Sequence, residues 1–146
     1  MKVLLCDSAG SVRAEAAAGY PVLTPGPGRA ESRPADWWNA VVSAVRQLPA
    51  AERRLVQAVG LSGQMHGLVV TGPDGTALRN AILWSDTRSV PQLERYRALP
   101  QHLQRTLGNP LVTGMAGPGL LWFQDQEPQL LDRARHALQP KDWLRL

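Results

Sequence analysis

Residues 61–75 read LSGQMHGLVVTGPDG, and residues 81–88 read AILWSDTR. Each stretch joins a short apolar run to polar or aromatic side chains, as strands do where they end in a loop. Glycines flank the tripeptide Gln64–His66, and glycine allows close backbone approach and dihedral angles that other residues avoid. The segment Gly72–Gly75 is a strong turn signal between the two runs. The two stretches therefore predict two strands whose polar ends could converge on one small ligand.

The chain before this region is predicted to hold a hairpin, a loop, a helix and a strand. Residues 2–20 are typical of a β-hairpin, although the alanine-rich second half also tolerates a helix. Residues 21–34 are rich in Pro and Gly and are predicted as a loop. Pro34 opens a helix with apolar residues at helical spacing, and Pro49 ends it. Val56–Gly63 is then predicted as a buried strand.

Within this region, Gly67–Thr71 and Asn80–Trp84 are predicted as strands. The chain after this region is predicted to be mostly helical, with a loop rich in Gly and Pro at residues 108–119. The later helices are predicted to begin near Ser89, Pro100, Leu120, Leu130 and Pro140. Because strands come first and helices lie between and after them, the sequence predicts an α/β fold with a mixed sheet.

The composition excludes several classes of protein. The chain has 146 residues, 44% hydrophobic and 19% charged, which suits one soluble globular domain. Its formal charge of +4 comes mostly from scattered arginines, whereas a nucleic-acid binder more often carries a clustered basic stripe. Cys6 is the single cysteine, so no internal disulfide is possible and a reducing, cytoplasmic location is expected. No apolar stretch is long enough to cross a bilayer, so we expect no membrane as partner. Because the basic residues are scattered, we also expect no nucleic acid as partner.

The first candidate group is Gln64, Met65 and His66. Gln64 offers an amide donor and acceptor, and a neutral His66 offers one of each. Met65 offers an adaptable apolar surface. This combination suits a polyol, which needs hydrogen bonds in both directions and an apolar face for its C–H groups. The alternative is a bend at a strand end with a histidine whose hydrogen bonds the protein satisfies.

The second candidate group is Trp84, Asp86 and Arg88. Asp86 can accept hydrogen bonds from two sugar hydroxyls, Arg88 donates in a rigid fork, and Trp84 can stack on a sugar face. The alternative is the start of a helix. In that case Asp86 caps the helix, Arg88 pairs with an acid such as Glu94, and Trp84 packs in the core.

Other kinds of site receive little support from the sequence. His66 and Asp86 lie twenty positions apart without a further His or Cys pattern, which is a weak signal for a metal site. Neither Ser62 nor Ser85 stands in a Gly-x-Ser-x-Gly turn, so a nucleophilic triad is also weakly indicated. The chain has no P-loop, and no helix signal directly follows Gly26–Gly28. No residue is therefore assigned to a metal, a cofactor or a nucleophile.

Several segments match a known family in order and spacing. They are Asp36–Trp38, Leu61–Gly67, Ala81–Arg88, Gly108–Pro110, Leu120–Gln124 with Glu127–Pro128, and Leu138–Leu146. Together they resemble the first domain of the xylulose kinases, which belong to the FGGY family of carbohydrate kinases. The resemblance covers nearly the whole chain.

The resemblance implies a fold, a reaction and a set of site residues. The fold would be an actin-like, ribonuclease-H-like α/β domain with a mixed sheet and flanking helices. The reaction would be phosphorylation of D-xylulose to D-xylulose 5-phosphate by ATP, with Mg²⁺. The residues that would line or adjoin the sugar pocket are Gln64, Met65, His66, Trp84, Asp86 and Arg88. The alternatives are a kinase for ribulose, fuculose, gluconate or glycerol, and a non-catalytic sugar-binding module.

The resemblance also implies that residues 1–146 form a partial N-terminal kinase domain, truncated at both ends. Lys2–Asp7 resembles the strand that follows the phosphate-binding loop of such kinases, so the first strand would be absent. The general base and the second domain, with most of the adenine site, would lie beyond Leu146. We therefore expect the isolated chain to lack kinase activity and to leave a sheet position unpaired. Smaller departures are Arg29, where relatives usually have Trp, and Gly119, where they often have Lys.

Overall fold

The computed structural model describes residues 1–146 as six strands and seven helices. The strands are β1 Lys2–Cys6, β2 Val12–Ala17, β3 Glu31–Ser32, β4 Val69–Thr71, β5 Ala81–Ile82 and β6 His136–Leu138. The helices are α1 Pro34–Gln47, α2 Ala50–Arg53, α3 Leu93–Arg97, α4 Gln101–Leu107, α5 Ala116–Gln126, α6 Pro128–Arg133 and α7 Pro140–Arg145. The predicted α/β class is confirmed.

The N-terminal hairpin is also confirmed. β1 pairs antiparallel with β2, and the register shifts between Leu5 and Cys6. The connecting turn is held by Asp7, whose Oδ1 accepts hydrogen bonds from the backbone N–H groups of Ala9 at 3.0 Å and Ser11 at 2.9 Å. The side chain of Asp7 therefore stabilises the turn, as Asp does at the first position of many tight turns.

The remaining strands form one connected antiparallel arrangement. β6 pairs with β4, and β5 pairs with β3. An isolated bridge between Leu68 and Ile82 links β4 to β5. The order is therefore β6, β4, β5, β3, and each neighbouring pair is antiparallel. Antiparallel order places the N-terminal end of β4 and the C-terminal end of β5 at the same edge.

Both faces of these strands are covered. Since side chains alternate along a strand, Val69, Ala81 and Leu83 face one side, where they form a cluster with Trp37 of α1. Leu68, Val70 and Ile82 face the other side, where they form a cluster with Trp122 and Phe123 of α5. The strands thus lie between α1 and α5, and this sandwich fixes the ends of β4 and β5 relative to each other.

One predicted strand is wrong. Val56–Gly63 forms no strand and pairs with no other segment, and its side chains are exposed, with Val59 at 78%. A strand needs a neighbour to accept and donate its backbone hydrogen bonds. The structure contains no strand beside this segment, so its apolar pattern alone does not make it a strand.

The C-terminal part contains a strand where the sequence predicts a helix through Ala137. Helix α6 ends at Arg133, and β6 follows as the partner of β4. Arg135 N–H donates to the carbonyl of Thr71 at 2.7 Å, which aligns the chain for this pairing. Helix propensity is a weak preference, so hydrogen bonding to β4 determines the local structure here.

Candidate functional site

The segments Leu61–Gly67 and Ala81–Arg88 meet at one edge of the sheet. Leu68 and Ile82 exchange two backbone hydrogen bonds, of 2.8 Å and 3.0 Å. Gly67, at the start of this pairing, therefore lies beside Leu83, which follows β5. The structure thus brings together the two stretches that were predicted to converge.

A third segment, at Gly114, joins the two motifs. Gly67 N–H donates to the carbonyl of Gly114 at 3.4 Å. The Cα of Gly114 lies so near the backbone of Trp84 that an added Cβ would come within 2.5 Å of its carbonyl oxygen. Only glycine fits between these backbones. The loop before α5 is therefore part of the same edge, which the sequence indicated only as a Gly- and Pro-rich loop.

The first motif bends sharply as it enters the sheet. His66 has φ of +59° and Gly67 has φ of +74°, so two successive residues adopt the left-handed region. For a histidine this conformation is uncommon and is found most often at turns and functional sites. Gln64 Nε2 donates to the hydroxyl of Tyr20 at 3.2 Å. The side chain of Met65 is 75% exposed, and His66 is half-buried.

The start of helix α7 packs against this bend. An added Cβ on Gly67 would lie 3.2 Å from Cγ of Pro140 and 3.3 Å from the carbonyl oxygen of Ile82. An added Cβ on Gly63 would lie 3.1 Å from Cβ of Lys141. The glycines therefore let the motif lie directly on the start of α7, which leaves Met65 on the outside.

Trp84 follows β5 and is 59% exposed. The alternative interpretation placed this indole in the core, and that interpretation is wrong. Leu83 is buried where β5 ends, whereas Trp84 lies beyond the covered part of the strand. An exposed indole at the same edge as Met65 and His66 provides an aromatic face for a ligand.

Asp86 has a different environment, because it is almost completely buried and bonded within the protein. Its Oδ2 accepts from the backbone N–H of Ala30 at 2.7 Å and from Nη2 of Arg88 at 2.8 Å. Its Oδ1 accepts from the backbone N–H of Arg88 at 2.9 Å and from Nε of Arg88 at 2.9 Å. It caps no helix, since α3 begins at Leu93. The alternative of a helix cap is therefore wrong.

Arg88 is buried as well, and it pairs with Glu31 rather than with Glu94. Its Nη2 donates to Oε1 of Glu31 at 2.6 Å, while Glu94 pairs with Arg97 on the surface. The guanidinium carbon of Arg88 lies 4.9 Å from the ring centroid of Trp122. Its Nη1 is buried and has no hydrogen-bond partner in the protein. Arg88 therefore has one donor group that the protein leaves unused.

Arg79, Asn80 and Glu127 join Glu31, Asp86 and Arg88 in one hydrogen-bonded network, which we call the Glu31 network (Glu31, Arg79, Asn80, Asp86, Arg88 and Glu127). Arg79 bonds to both Glu31 and Glu127, and Asn80 Nδ2 donates to Oε2 of Glu31 at 3.0 Å. The sequence did not reveal Glu31, Arg79 or Glu127, because their partners lie 48 or more positions away. Glu31 lies in the segment predicted as a loop and Arg79 precedes the strand predicted from Asn80, so neither residue carried a local signal.

Opposite charges in the Glu31 network stabilise the ionised forms of Glu31 and Arg88. Burial would raise the pKa of Glu31, but hydrogen bonds from Arg88 and Asn80 and the charges of Arg79 and Arg88 outweigh it. The pKa of Glu31 therefore lies below its ordinary value of 4.5. Burial would likewise lower the pKa of Arg88, but its bonds to Asp86 and Glu31 raise it. Both side chains are ionised at neutral pH.

The site offers polar and aromatic groups but no metal centre. The chain contains no group of three or more His, Cys, Asp or Glu side chains that could hold a metal ion. Two open grooves, of about 510 Å³ and 570 Å³, lie elsewhere on the surface. The first is lined by Arg33, Asp74 and Trp143 among others, and the second by Tyr96 and Leu131 among others. No helix of the protein combines the length and the apolar character that a membrane span requires.

Comparisons with known proteins agree with the resemblance seen in the sequence. The model of the FGGY family of carbohydrate kinases, N-terminal domain, matches residues 1–146. The xylulose kinase of Bacillus subtilis is 35% identical over 149 residues, and the match covers 99% of this chain. Among solved structures, a "xyloylose kinase" from Brucella ovis superimposes with a TM-score of 0.92 at 36% identity, over 99% of this chain. A gluconate kinase from Lactobacillus acidophilus superimposes with a TM-score of 0.83 at 25% identity, over 98% of this chain.

The chain spans 30% of the length of each of these three proteins. The actin-like, ribonuclease-H-like fold expected from the sequence is confirmed by the neighbouring structures. The match of the family model extends from the first residue to the last. The chain therefore belongs to the FGGY family of carbohydrate kinases and corresponds to the N-terminal domain of that family.

Proposed function

We propose that this chain forms the sugar-binding part of a xylulose kinase, which transfers a phosphoryl group from ATP to D-xylulose. The observation that carries the proposal is the convergence of Gln64–Gly67 and Trp84 at one edge of the sheet. Hydrogen-bonding groups and apolar faces lie side by side there. The likeness to a xylulose kinase at 35% identity supports D-xylulose as the sugar.

The chemistry of this edge suits a hydroxyl-rich ligand. His66 and Gln64 provide donors and acceptors for sugar hydroxyls. Met65 and Trp84 are exposed and provide apolar surface for the C–H groups of the sugar. A small ligand is usually bound by such a mixture, in which apolar surface gives affinity and a few polar groups fix the orientation. We assign substrate binding to all four residues.

Asp86 and Arg88 belong to the proposed site in a different way. All four hydrogen bonds that Asp86 accepts come from within the protein, so Asp86 orients Arg88. Arg88 keeps Nη1 without a protein acceptor, and we assign this group as a donor to a sugar hydroxyl. A buried donor without a partner is unfavourable by about 1–3 kcal/mol, which a bound hydroxyl would relieve.

ATP and Mg²⁺ are proposed for the complete enzyme, and no residue of this chain is assigned to them. The side chains present do not fit a metal ion, because no suitable cluster exists and two of the buried carboxylates are paired with arginines. This chain contributes by binding and orienting the sugar. Holding a reactant in the correct geometry lowers the barrier of the reaction. We place the enzyme in the cytoplasm, where ATP and phosphorylated sugars are used.

The test is a kinetic comparison in the full-length enzyme. We expect phosphorylation of D-xylulose, and we expect His66→Ala to lower kcat/KM for the sugar by about 10²-fold while the KM for ATP stays unchanged. Arg97→Ala is the matched control, because Arg97 lies on the surface and pairs only with Glu94. Equal kinetic constants for the His66→Ala and Arg97→Ala variants would contradict the assignment.

The second candidate is a kinase for a sugar acid such as gluconate. It is favoured by the likeness to the gluconate kinase, at a TM-score of 0.83. A substrate panel of D-xylulose, D-ribulose, L-fuculose, D-gluconate and glycerol separates the candidates. The proposal predicts the highest kcat/KM for D-xylulose, and a higher value for D-gluconate would replace the first candidate by the second.

A further inference from the structure

Glu31 occupies a position where a charged residue is unexpected. It lies in β3 directly opposite Ile82 of β5, and it is buried. Ile82 belongs to the apolar cluster formed with Trp122 and Phe123 of α5. A carboxylate is rarely buried to this extent unless positively charged partners surround it. The position of Glu31 therefore calls for a specific partner.

The partners of Glu31 are two arginines that come from either end of the β5 segment. Its Oε1 accepts from Nη2 of Arg79, which precedes β5, and from Nη2 of Arg88, which follows it. Its Oε2 accepts from Asn80. Both guanidinium groups also lie over the Trp122 ring, at 5.8 Å for Arg79 and 4.9 Å for Arg88. Glu31 thus connects the two ends of this segment to β3.

The contact between Glu31 and Arg88 differs in kind from the contact between Asp86 and Arg88. Asp86 lies two residues from Arg88, so the two side chains belong to the same loop, and Asp86 also accepts a hydrogen bond from the backbone N–H of Ala30, next to Glu31. Glu31 lies 57 residues away, on the sheet. Of the two carboxylates, Glu31 is the one that belongs to a strand, and it binds the guanidinium of Arg88 directly. Together they engage Nε and Nη2 and leave Nη1 as the free donor.

We propose that Glu31 is a positioning residue that sets the orientation of Arg88 and thereby of the loop from Trp84 to Arg88 that borders the sugar. This inference rests on the proposed function, because it deepens the assignment of Arg88 to the sugar. Glu127 provides an internal comparison. It bonds Arg79 in the same network but does not contact Arg88, so it shares the stabilising role without the positioning role.

The kinetic test uses the variants Glu31→Gln, Glu31→Asp and Glu127→Gln in the full-length enzyme. We expect Glu31→Gln to raise the KM for the sugar by about tenfold and to leave the KM for ATP within about twofold. Glu31→Asp keeps the charge and should recover part of the loss. Glu127→Gln should lower the melting temperature without changing the KM for the sugar. If both Gln variants lower the melting temperature and leave the sugar KM unchanged, the role is merely structural and the proposal is overturned.

A second readout does not depend on activity and separates the two proposals. The Nε–H signal of Arg88 in ¹⁵N NMR reports the fixed guanidinium, because this proton lies in the buried bond to Asp86. We expect hydrogen exchange at this site to be about tenfold faster in Glu31→Gln and unchanged in Glu127→Gln. Failure of the wild-type enzyme to phosphorylate any sugar would remove the proposed function. Unchanged exchange in Glu31→Gln would remove the positioning role, whatever the activity.

Discussion

The substitution Arg88→Met tests how strongly the buried ion pairs stabilise the fold. Methionine keeps an unbranched apolar side chain of similar reach but removes the guanidinium. The bonds from Nε and Nη2 to Asp86 and from Nη2 to Glu31 are lost, so two carboxylates remain buried with fewer partners. Breaking a buried pair by removing one partner costs about 3–5 kcal/mol. Asp86 keeps its two backbone donors, and Glu31 keeps Arg79 and Asn80, so we expect the lower end of this range.

The assay is urea denaturation of the protein, followed by circular dichroism. A loss of about 3 kcal/mol raises the unfolded-to-folded ratio about 150-fold, and it shifts the urea midpoint by about 1–3 M for the slopes typical of small domains. Arg97→Met is the matched control, because this arginine pairs with Glu94 on the surface, where ion pairs contribute about 0–1 kcal/mol. If the two variants differ by less than about 1 kcal/mol, the Glu31 network does not stabilise the fold as described.

Three further predictions concern the site edge, acid stability and the exposed segment. Gly114→Ala should destabilise the protein by about 1–3 kcal/mol, measured by urea denaturation, because its Cβ would meet the backbone of Trp84; a neutral effect would contradict that packing. Glu31 has a lower pKa in the folded than in the unfolded protein. Its stabilising contribution is therefore complete above its ordinary pKa of 4.5 and is lost as the pH falls through the pKa of the folded state. The acid limb of the stability curve should therefore be shallower in Glu31→Gln than in the wild type. Val59→Lys should change stability by less than about 0.5 kcal/mol, because Val59 is exposed; a loss above about 2 kcal/mol would indicate the buried strand instead.

Local patterns predicted the elements that carry their own signals. The hairpin of β1 and β2 follows from an apolar run and a turn headed by Asp7, and α1 follows from Pro34 and a helical apolar face. Such signals lie within a few residues of the element that they define. For the same reason, the bends at the ends of β4 and β5 could be placed from glycines and short apolar runs.

The secondary-structure predictions failed where contacts between distant segments determine the local structure. Val56–Gly63 has the composition of a strand, but no strand lies beside it to pair with it. β6 forms within a segment of good helix formers because β4 offers it a hydrogen-bonding edge. A pairing between segments more than sixty residues apart leaves no trace in either segment alone.

The candidate site shows the same division. Gln64, Met65 and His66 were identified because glycines flank them before a short apolar run, and Trp84 was identified because it follows another such run. Asp86 and Arg88 were identified as members of one candidate group, but their ion pair with each other and their burial were not anticipated. That burial depends on Glu31 and on Trp122, which lie far away in the sequence.

The central claim is that the edge formed by Gln64–Gly67 and Trp84 binds a sugar. The most direct test is NMR of the protein labelled at its methionine methyl groups, titrated with D-xylulose. Met65 is exposed at this edge, whereas Met1 is partly buried against the Trp37 cluster, and a Met65→Leu variant assigns the signal. We expect a saturable shift of the Met65 signal with D-xylulose and no shift of the Met1 signal. An unchanged Met65 signal at saturating sugar would contradict it.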